Sequence, residues 1–167
     1  VSAISNPRFP LAESEQKRLV KLYLNDVGLL TNHLYELNVN AVLQDIKSIN
    51  LGTVYESVVA QELVAHGFKL HYYDNKQKGE VDFLIDDYDE LKVLPVEIKS
   101  GKDYTAHSAL TKFLDTPDYG IDRAIVFSNE REVSKKKGIT YLPIYYCMFL
   151  QDRNNEESII LPELESV

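Results

Sequence analysis

The chain has 167 residues and a formal net charge of −8, and 44% of its residues are apolar while 26% are charged. This length and this balance predict a single soluble globular domain and exclude a disordered chain. No apolar run reaches the length of a membrane span and no signal segment opens the chain, so we expect no membrane partner. The acidic balance also disfavours a protein that holds nucleic acid through bulk positive charge.

The ends of the chain and its one cysteine bear on organisation and location. An irregular opening that starts with Val1 predicts a piece of a longer polypeptide, or a processed one. We expect an extension over residues 1–20, one domain over 21–150 and an acidic tail over 151–167. Cys147 has no partner for an internal disulfide and lies in an apolar stretch, which fits a core position in a protein of a reducing, cytoplasmic compartment.

Apolar periodicity and turn residues predict the elements in chain order. The first half is predicted to contain a strand over 21–26 and helices over 29–37, 40–47 and 51–65. The second half is predicted to contain strands over 68–74, 79–86 and 92–99, a helix over 104–114 and a strand over 123–128. The remaining candidates are a strand over 138–141 and a helix over 144–150, and the lysines at 135–137 are expected in a solvated loop.

Two short segments in neighbouring predicted strands carry the charged residues of interest. They are Gly79-Glu80-Val81-Asp82-Phe83 and Val96-Glu97-Ile98-Lys99. Because residues two apart in a strand share a face, Glu97 and Lys99 point the same way. If the hairpin register places Asp82 opposite Glu97, two carboxylates and one ammonium meet at one spot. Apolar strands do not gather three charges without a reason.

Two carboxylates beside a lysine suit metal-assisted hydrolysis of a phosphodiester. Carboxylates are the hard oxygen ligands that Mg²⁺ or Mn²⁺ prefers. A lysine near the metal can orient the attacking water and offset the developing negative charge. The spacing alone is a weak signal, because a carboxylate and a lysine two apart in a strand also occur on solvated faces.

The spacing of Asp82 and Glu97-Ile98-Lys99 resembles the core motif of the PD-(D/E)XK nucleases, the restriction-endonuclease-like superfamily. The element order predicted from the helix over 51–65 onward, α-β-β-β-α-β, is also the order of that core. The resemblance implies an α/β fold in which helices flank a mixed central sheet, here with extra N-terminal helices. It further implies that Asp82, Glu97 and the Ile98 carbonyl ligate Mg²⁺ or Mn²⁺, and that Lys99 positions the attacking water.

A second resemblance covers most of the chain. It rests on the segments 23–30, 51–63, 72–73, 79–83 and 96–102. Together these closely resemble the uncharacterised C-terminal domain attached to bacterial and archaeal AAA-type ATPases. The nucleotide-binding loop G-x-x-x-x-G-K-S/T is absent from this sequence. The resemblance therefore implies an ATPase module upstream as a partner.

Three functions remain open at this point. In a divalent-metal nuclease, Glu56 on the leading helix either completes the acidic cluster or is simply an exposed helix residue. Gln61, Ser100 and Lys102 are then candidate contacts to nucleic acid, although each also fits an ordinary surface or turn position. The second function is a catalytically silent nuclease-like fold that binds nucleic acid or a partner for the ATPase. The third is a protein interaction module, in which some of the eleven tyrosines line an interface.

Overall fold

The computed structural model describes residues 1–36, 40, 51–101 and 104–152. Within these ranges the strands are β1 (Ser2–Ile4), β2 (Glu15–Val20), β3 (His71–Asn75), β4 (Gly79–Asp87), β5 (Lys92–Lys99), β6 (Ala124–Ser128), β7 (Ser134–Lys136) and β8 (Ile139–Pro143). The α-helices are α1 (Val27–Tyr35), α2 (Gly52–Ala65) and α3 (Ser108–Leu114), and 3-10 turns lie at Leu11–Ser14, Pro117–Tyr119 and Ile144–Phe149.

These strands form one mixed sheet in the order β2-β1-β3-β4-β5-β6-β8-β7. The neighbours β3, β4 and β5 pair antiparallel, as a meander, whereas β6 joins β5 in parallel and β8 joins β6 in parallel. The chain passes through α3 between β5 and β6, and a parallel neighbour requires such a crossover. The predicted α/β class is confirmed, and so is the predicted order α-β-β-β-α-β from α2 to β6.

The sheet buries an apolar cluster on each face. One cluster includes Leu110 of α3, and the other includes Leu63 of α2; both side chains are fully buried. Val96 and Ile98 of β5 belong to the cluster on the α2 side. Because side chains alternate along a strand, Glu97 between them is directed toward the α3 side. The two helices thus determine which face each functional side chain of β5 occupies.

The N-terminal region differs from the prediction. The prediction of a strand over 21–26 is wrong, because those residues have no regular structure. The strand in this region is β2, which lies just before them. Leu22 and Leu24 imitate strand alternation, yet they are 91% and 50% exposed and pair with no neighbouring strand. The extra N-terminal elements comprise strands as well as α1, since β1 lies between β2 and β3 and buries Ile4 completely.

The other elements follow the prediction with smaller differences. The bounds of α2, β4, β5 and β6 agree within one residue, while β3 and α3 begin later than expected. The lysine run was expected in a loop, but Lys135 and Lys136 lie in β7 at the edge of the sheet, with exposed side chains. Exposed lysines on an edge strand discourage pairing with another sheet. The segment over 144–149 is a 3-10 turn and not an α-helix, and β8 confirms the strand expected near 138–141.

Some expectations fall on residues about which the structure gives no description. The helix predicted over 40–47 lies outside the described residues except for Asn40. Residues 153–167 of the predicted tail also lie outside them. Among the helices that are described, none combines the length and the apolar composition needed to cross a membrane.

Candidate functional site

The hairpin of β4 and β5 brings the predicted charged residues together. Its antiparallel ladder ends at the pair of Phe83 and Val96. Asp82 and Glu97 are the next residues beyond this pair, and they lie close enough for the charge of Glu97 to raise the pKa of Asp82. Lys99 lies two residues beyond Glu97, on the same face of β5. The sequence-predicted trio of two carboxylates and one ammonium therefore occupies the end of this hairpin.

A β-bulge in β4 lies at Asp82. His71 of β3 pairs with Leu84, and Tyr73 pairs with Val81, so that two steps along β3 correspond to three steps along β4. The extra residue falls between Val81 and Leu84. A bulge bends its strand locally and turns a side chain away from the regular alternation, and bulges are frequent beside functional sites.

Gly79 determines how closely α3 approaches the start of β4. Its φ is +96°, in the region that side chains with a Cβ rarely adopt. A Cβ at this position would lie 2.9 Å from the Cβ of Ala109 in α3. Both the backbone conformation and the helix contact therefore require glycine, three residues before Asp82.

Each of the two carboxylates has one oxygen engaged. The backbone N–H of Ile98 donates a hydrogen bond of 2.7 Å to Oδ2 of Asp82. The ammonium of Lys99 lies 2.7 Å from Oε1 of Glu97, whose side chain is only 6% exposed. The second oxygen of Glu97, Oε2, is buried and has no hydrogen-bond partner among the described residues. A buried acceptor without a partner is costly, so this oxygen is available for a ligand.

The electrostatics of the site favour a bound cation. Burial raises the pKa of Asp82 to about 8, the charge of Glu97 adds to this rise, and the hydrogen bond from Ile98 opposes it. The Asp82 carboxyl therefore keeps its proton to a higher pH than an exposed aspartate does. A cation held between the carboxylates would offset both causes of the rise, and its binding would release the proton.

Glu56 of α2 lies at the border of the same site. Burial raises the pKa of its carboxyl, and the charges of Glu80 and Glu97 act in the same direction, against Lys21. The hydroxyl of Tyr23 donates a long hydrogen bond of 3.5 Å to Oε2 of Glu56. The interpretation of Glu56 as a fully exposed helix residue is therefore wrong, since its carboxyl is half-buried among other carboxylates.

The segment before α1 supplies two site residues that the sequence did not point to. The ring of Tyr23 packs on Phe83, with ring centroids 5.5 Å apart. Lys21 forms an ion pair with Glu80 and also lies over the ring of Tyr72. Burial and the charge of Glu56 both raise the pKa of the Tyr23 phenol. Tyr23 is an aromatic residue in an otherwise exposed, irregular segment, and this could have indicated a site residue. Because a strand was predicted over 21–26, Tyr23 was interpreted as part of regular structure instead.

The remaining predicted residues lie in different surroundings. Ile98 contacts Asp82 through its amide, as described above, and its carbonyl as a metal ligand stays a prediction. The carbonyl of Ser100 accepts a hydrogen bond of 3.1 Å from the Asn129 side chain, which fits a turn position. Gln61 lines a cleft between α2 and the segment around Tyr23. Lys102 lies outside the described residues.

Carboxylate oxygens suit a hard divalent cation. Among the described residues, no group of three or more His, Cys, Asp or Glu side chains has the arrangement of a complete metal site. Mg²⁺ nevertheless keeps several waters and is often held by one or two carboxylates together with substrate phosphates. Asp82 and Glu97 form such a pair. A bound cation would give the buried Oε2 of Glu97 the partner that it lacks among the described residues.

A separate cavity of about 360 Å³ lies at the opposite end of β4. Two of the carboxylates that line this cavity are already bound by other residues of the domain. Both oxygens of Asp86 accept hydrogen bonds from the backbone N–H of Leu11, and Asp87 pairs with Arg123. These two carboxylates therefore lack a free oxygen of the kind that Glu97 has at the other end of the hairpin.

A family model described as a domain of unknown function (DUF4143) matches residues 51–147. This stretch is more than half of the chain and includes α2, the β4–β5 hairpin and the three residues of the trio. Neither the curated proteins nor the solved structures contain a match to the chain. On the strength of the family match, this chain belongs to the DUF4143 family.

Proposed function

We propose that this domain is a divalent-metal-dependent nuclease with a restriction-endonuclease-like core. The observation that carries the proposal is the carboxylate pair at the end of the β4–β5 hairpin, beside the bulge in β4, in which Oε2 of Glu97 is buried without a partner among the described residues. The element order α-β-β-β-α-β and the mixed sheet agree with such a core. In this proposal Mg²⁺ or Mn²⁺ is the cofactor.

Asp82 and Glu97 would hold the cation, with the Ile98 carbonyl as a further oxygen ligand. The cation would supply Lewis-acid activation of water and neutralisation of charge on the phosphate. Its ligands are positioned by backbone, because β5 carries both Glu97 and the N–H that fixes the Asp82 carboxylate.

Lys99 would act on the attacking water and on the developing negative charge. Its ammonium lies 2.7 Å from Oε1 of Glu97, and its side chain is 28% exposed, so it borders both the carboxylate pair and solvent. Glu56 would orient a water bound to the cation from the α2 side. Ser100 and Lys102, directly after β5, would contact the phosphate backbone.

The upstream partner in this proposal is an AAA-type ATPase module. The proposal rests on the resemblance of segments across 23–102 to the domain that follows such ATPases, together with the absence of a nucleotide-binding loop in this sequence. Hydrolysis of nucleotide by the upstream module would then move or present the nucleic acid that this domain cleaves.

A second candidate is a catalytically silent nuclease-like fold that binds nucleic acid or a protein for the ATPase. The net charge of −8 favours it, because a nuclease that tracks along a phosphate backbone gains affinity from positive charge. The meeting of two carboxylates and a lysine around the buried Glu97 favours the catalytic candidate, since a purely structural role leaves a buried carboxylate oxygen without a partner unexplained.

The deciding experiment combines metal binding and cleavage. Mn²⁺ binding is measured by calorimetry, and cleavage is measured on a panel of single- and double-stranded DNA and RNA. We expect the wild-type protein to bind Mn²⁺, and Glu97→Gln to weaken binding at least tenfold and abolish cleavage. Asp118→Asn alters an exposed carboxylate outside the site and should leave both unchanged. Metal binding without any cleavage would select the silent fold, and absence of both would reject the metal site.

A further inference from the structure

A cleft of about 220 Å³ adjoins the carboxylate site along α2. Its two walls are the irregular segment that contains Tyr23 and the face of α2 that contains Ala60 and Val64. These two helix residues follow Glu56 by four and eight positions, so all three share one face of the helix. Tyr23 both lines the cleft and donates to Glu56. The cleft therefore reaches Glu56, at the border of the carboxylate site.

Two side-chain amides line this cleft, one from each wall. Gln61 projects from α2, and Asn25 belongs to the irregular segment. Neither amide makes a hydrogen bond within the part of the chain that the structure describes. Each side chain therefore offers a free carbonyl acceptor and a free N–H₂ donor to whatever enters.

Apolar side chains form the rest of the cleft. Leu24 and Val64 border it and are 50% and 56% exposed, and Leu70 lies buried at its inner side. Exposed apolar groups around a concave surface with a few polar groups are typical of a ligand site. The volume is below the range of about 300–1,000 Å³ usual for drug-sized ligands, which favours a single planar ring system.

We propose that this cleft is a nucleobase subsite for a single-stranded nucleic acid. This inference rests on the proposed function, because the phosphate next to the bound base would lie at Asp82 and Glu97. Asparagine and glutamine amides pair with base edges, and apolar walls cover the faces of an unstacked base. A base within a duplex presents neither face, so the subsite selects single strands or extruded nucleotides. A protein segment would also contact apolar walls, but it does not need two free amides in a space this small.

The charges near the cleft make the proposal more specific. Lys21 lines the cleft, but it is already paired with Glu80. Binding then gains little from neutralising phosphates, and most of the affinity must come from the base itself. The dependence on salt should accordingly be shallow, corresponding to about one phosphate contact, since each contact to a single strand contributes a slope of roughly −0.7 in log K against log salt.

The test measures binding of an eight-nucleotide single strand by fluorescence anisotropy in EDTA, so that no cleavage occurs. A series of strands carries one abasic site at successive positions. We expect the abasic site at one position to weaken binding about tenfold, the loss typical of a good amide–base pair. Gln61→Ala should weaken binding of the intact strand by a similar factor. It should have no effect on the strand that lacks that base, because the two changes remove the same contact.

Gln77→Ala is the matched control, because Gln77 is exposed and lies in the turn between β3 and β4, outside the cleft. Equal binding of all abasic strands would overturn the proposal, as would an equal effect of Gln61→Ala on intact and abasic strands. A protein that binds no single strand at all would also overturn it. Base-dependent binding in a protein that binds no Mn²⁺ would support the subsite while rejecting the nuclease, so the two proposals fail separately.

Discussion

The backbone N–H of Ile98 donates a 2.7 Å hydrogen bond to Oδ2 of Asp82, although the two residues lie in neighbouring strands. Ile98 directly follows Glu97, so the peptide that fixes one carboxylate adjoins the residue that supplies the other. The Asp82 carboxylate is therefore held by the backbone of the hairpin, whereas the Glu97 carboxylate is held by its ion pair with Lys99. The Glu97 side chain is buried and the Asp82 side chain is partly buried, and the cost of burying Asp82 depends on pH.

Asp82→Asn should make the protein less sensitive to pH. The pKa of Asp82 is raised from 3.8 to about 8, so the folded protein holds a proton that the unfolded chain releases between these values. The free energy of unfolding should consequently fall as pH rises from about 4 to about 8. Asparagine does not ionise and still accepts from Ile98, so between pH 5 and pH 8 the substituted protein should gain roughly 3–4 kcal/mol of stability relative to the wild type.

This prediction is checked by urea denaturation at pH 5 and pH 8 in EDTA, which removes any stabilisation by metal. The difference between the free energies of unfolding of the two proteins should therefore change by that amount between the two pH values. Asp118→Asn changes an exposed carboxylate and should follow the wild-type curve at both values. Parallel curves for wild type and Asp82→Asn would show that the Asp82 carboxyl is not held protonated in the folded protein.

Lys99→Met should destabilise the protein by leaving Glu97 without a counter-ion. The Glu97 side chain is 6% exposed, and Oε2 already lacks a partner among the described residues, so removal of the ammonium leaves Oε1 unpaired as well. Breaking one side of a buried pair typically costs about 3 kcal/mol, measured here as the change in urea midpoint at constant slope. The double substitution Glu97→Gln with Lys99→Met should recover most of the loss.

Lys69→Met supplies the comparison for this loss. Lys69 pairs with Glu15 at 3.4 Å, but its side chain is 65% exposed. Exposed pairs contribute about 0–1 kcal/mol, so this substitution should have little effect. Similar losses of stability for Lys69→Met and Lys99→Met would mean that the loss on Lys99→Met is not caused by the burial of Glu97.

Gly79→Ala should disturb the start of β4. The positive φ disfavours alanine by about 1–2 kcal/mol, and the added methyl would lie 2.9 Å from the Cβ of Ala109. We expect a total loss of stability of about 2–3 kcal/mol by thermal or urea unfolding, with weakened Mn²⁺ binding because Asp82 is three residues away. Gly101→Ala is the control, since a Cβ there would meet nothing within 4 Å. A larger loss at Gly101 would contradict the assignment of strain to Gly79.

The hairpin could be predicted from sequence because its information is local. Apolar residues alternate with Asp82 and Glu97 along two adjacent runs, and the polar turn between them sets the register. The contacts of the irregular segment could not be predicted in this way. Tyr23 meets Glu56 across 33 residues, and Lys21 meets Glu80 across 59, so no short window contains both partners. The bulge at Asp82 also could not be predicted from the alternation of apolar and polar residues, because it depends on how β3 pairs with β4.

The place of β1 in the sheet is another non-local feature. A three-residue strand carries little periodicity, and β1 pairs in parallel with β3, about seventy residues further along the chain. Sequence reasoning therefore assigned residues 1–20 to an extension, whereas β1 contributes Ile4 to the same core cluster as Val81 and Leu110. The contribution of the N-terminal strands to stability can be measured directly.

A chain restricted to the family match, residues 51–147, should not fold stably on its own. It would lack Ile4 and Leu11, which are both fully buried, and the exposed edge of β3 would be open to association. Loss of each such side chain from a core typically costs about 2–5 kcal/mol, and the two together approach the whole stability of an ordinary domain, about 5–15 kcal/mol. Near-ultraviolet circular dichroism and urea unfolding should show no cooperative transition in this fragment.

Residues 1–152 provide the control, because they retain every described element of the fold. This fragment should unfold cooperatively with a urea slope close to that of the full chain. A cooperative transition in residues 51–147 would mean that β3 can form the edge of a stable sheet, and that the contacts of Ile4 and Leu11 add stability without being required for folding.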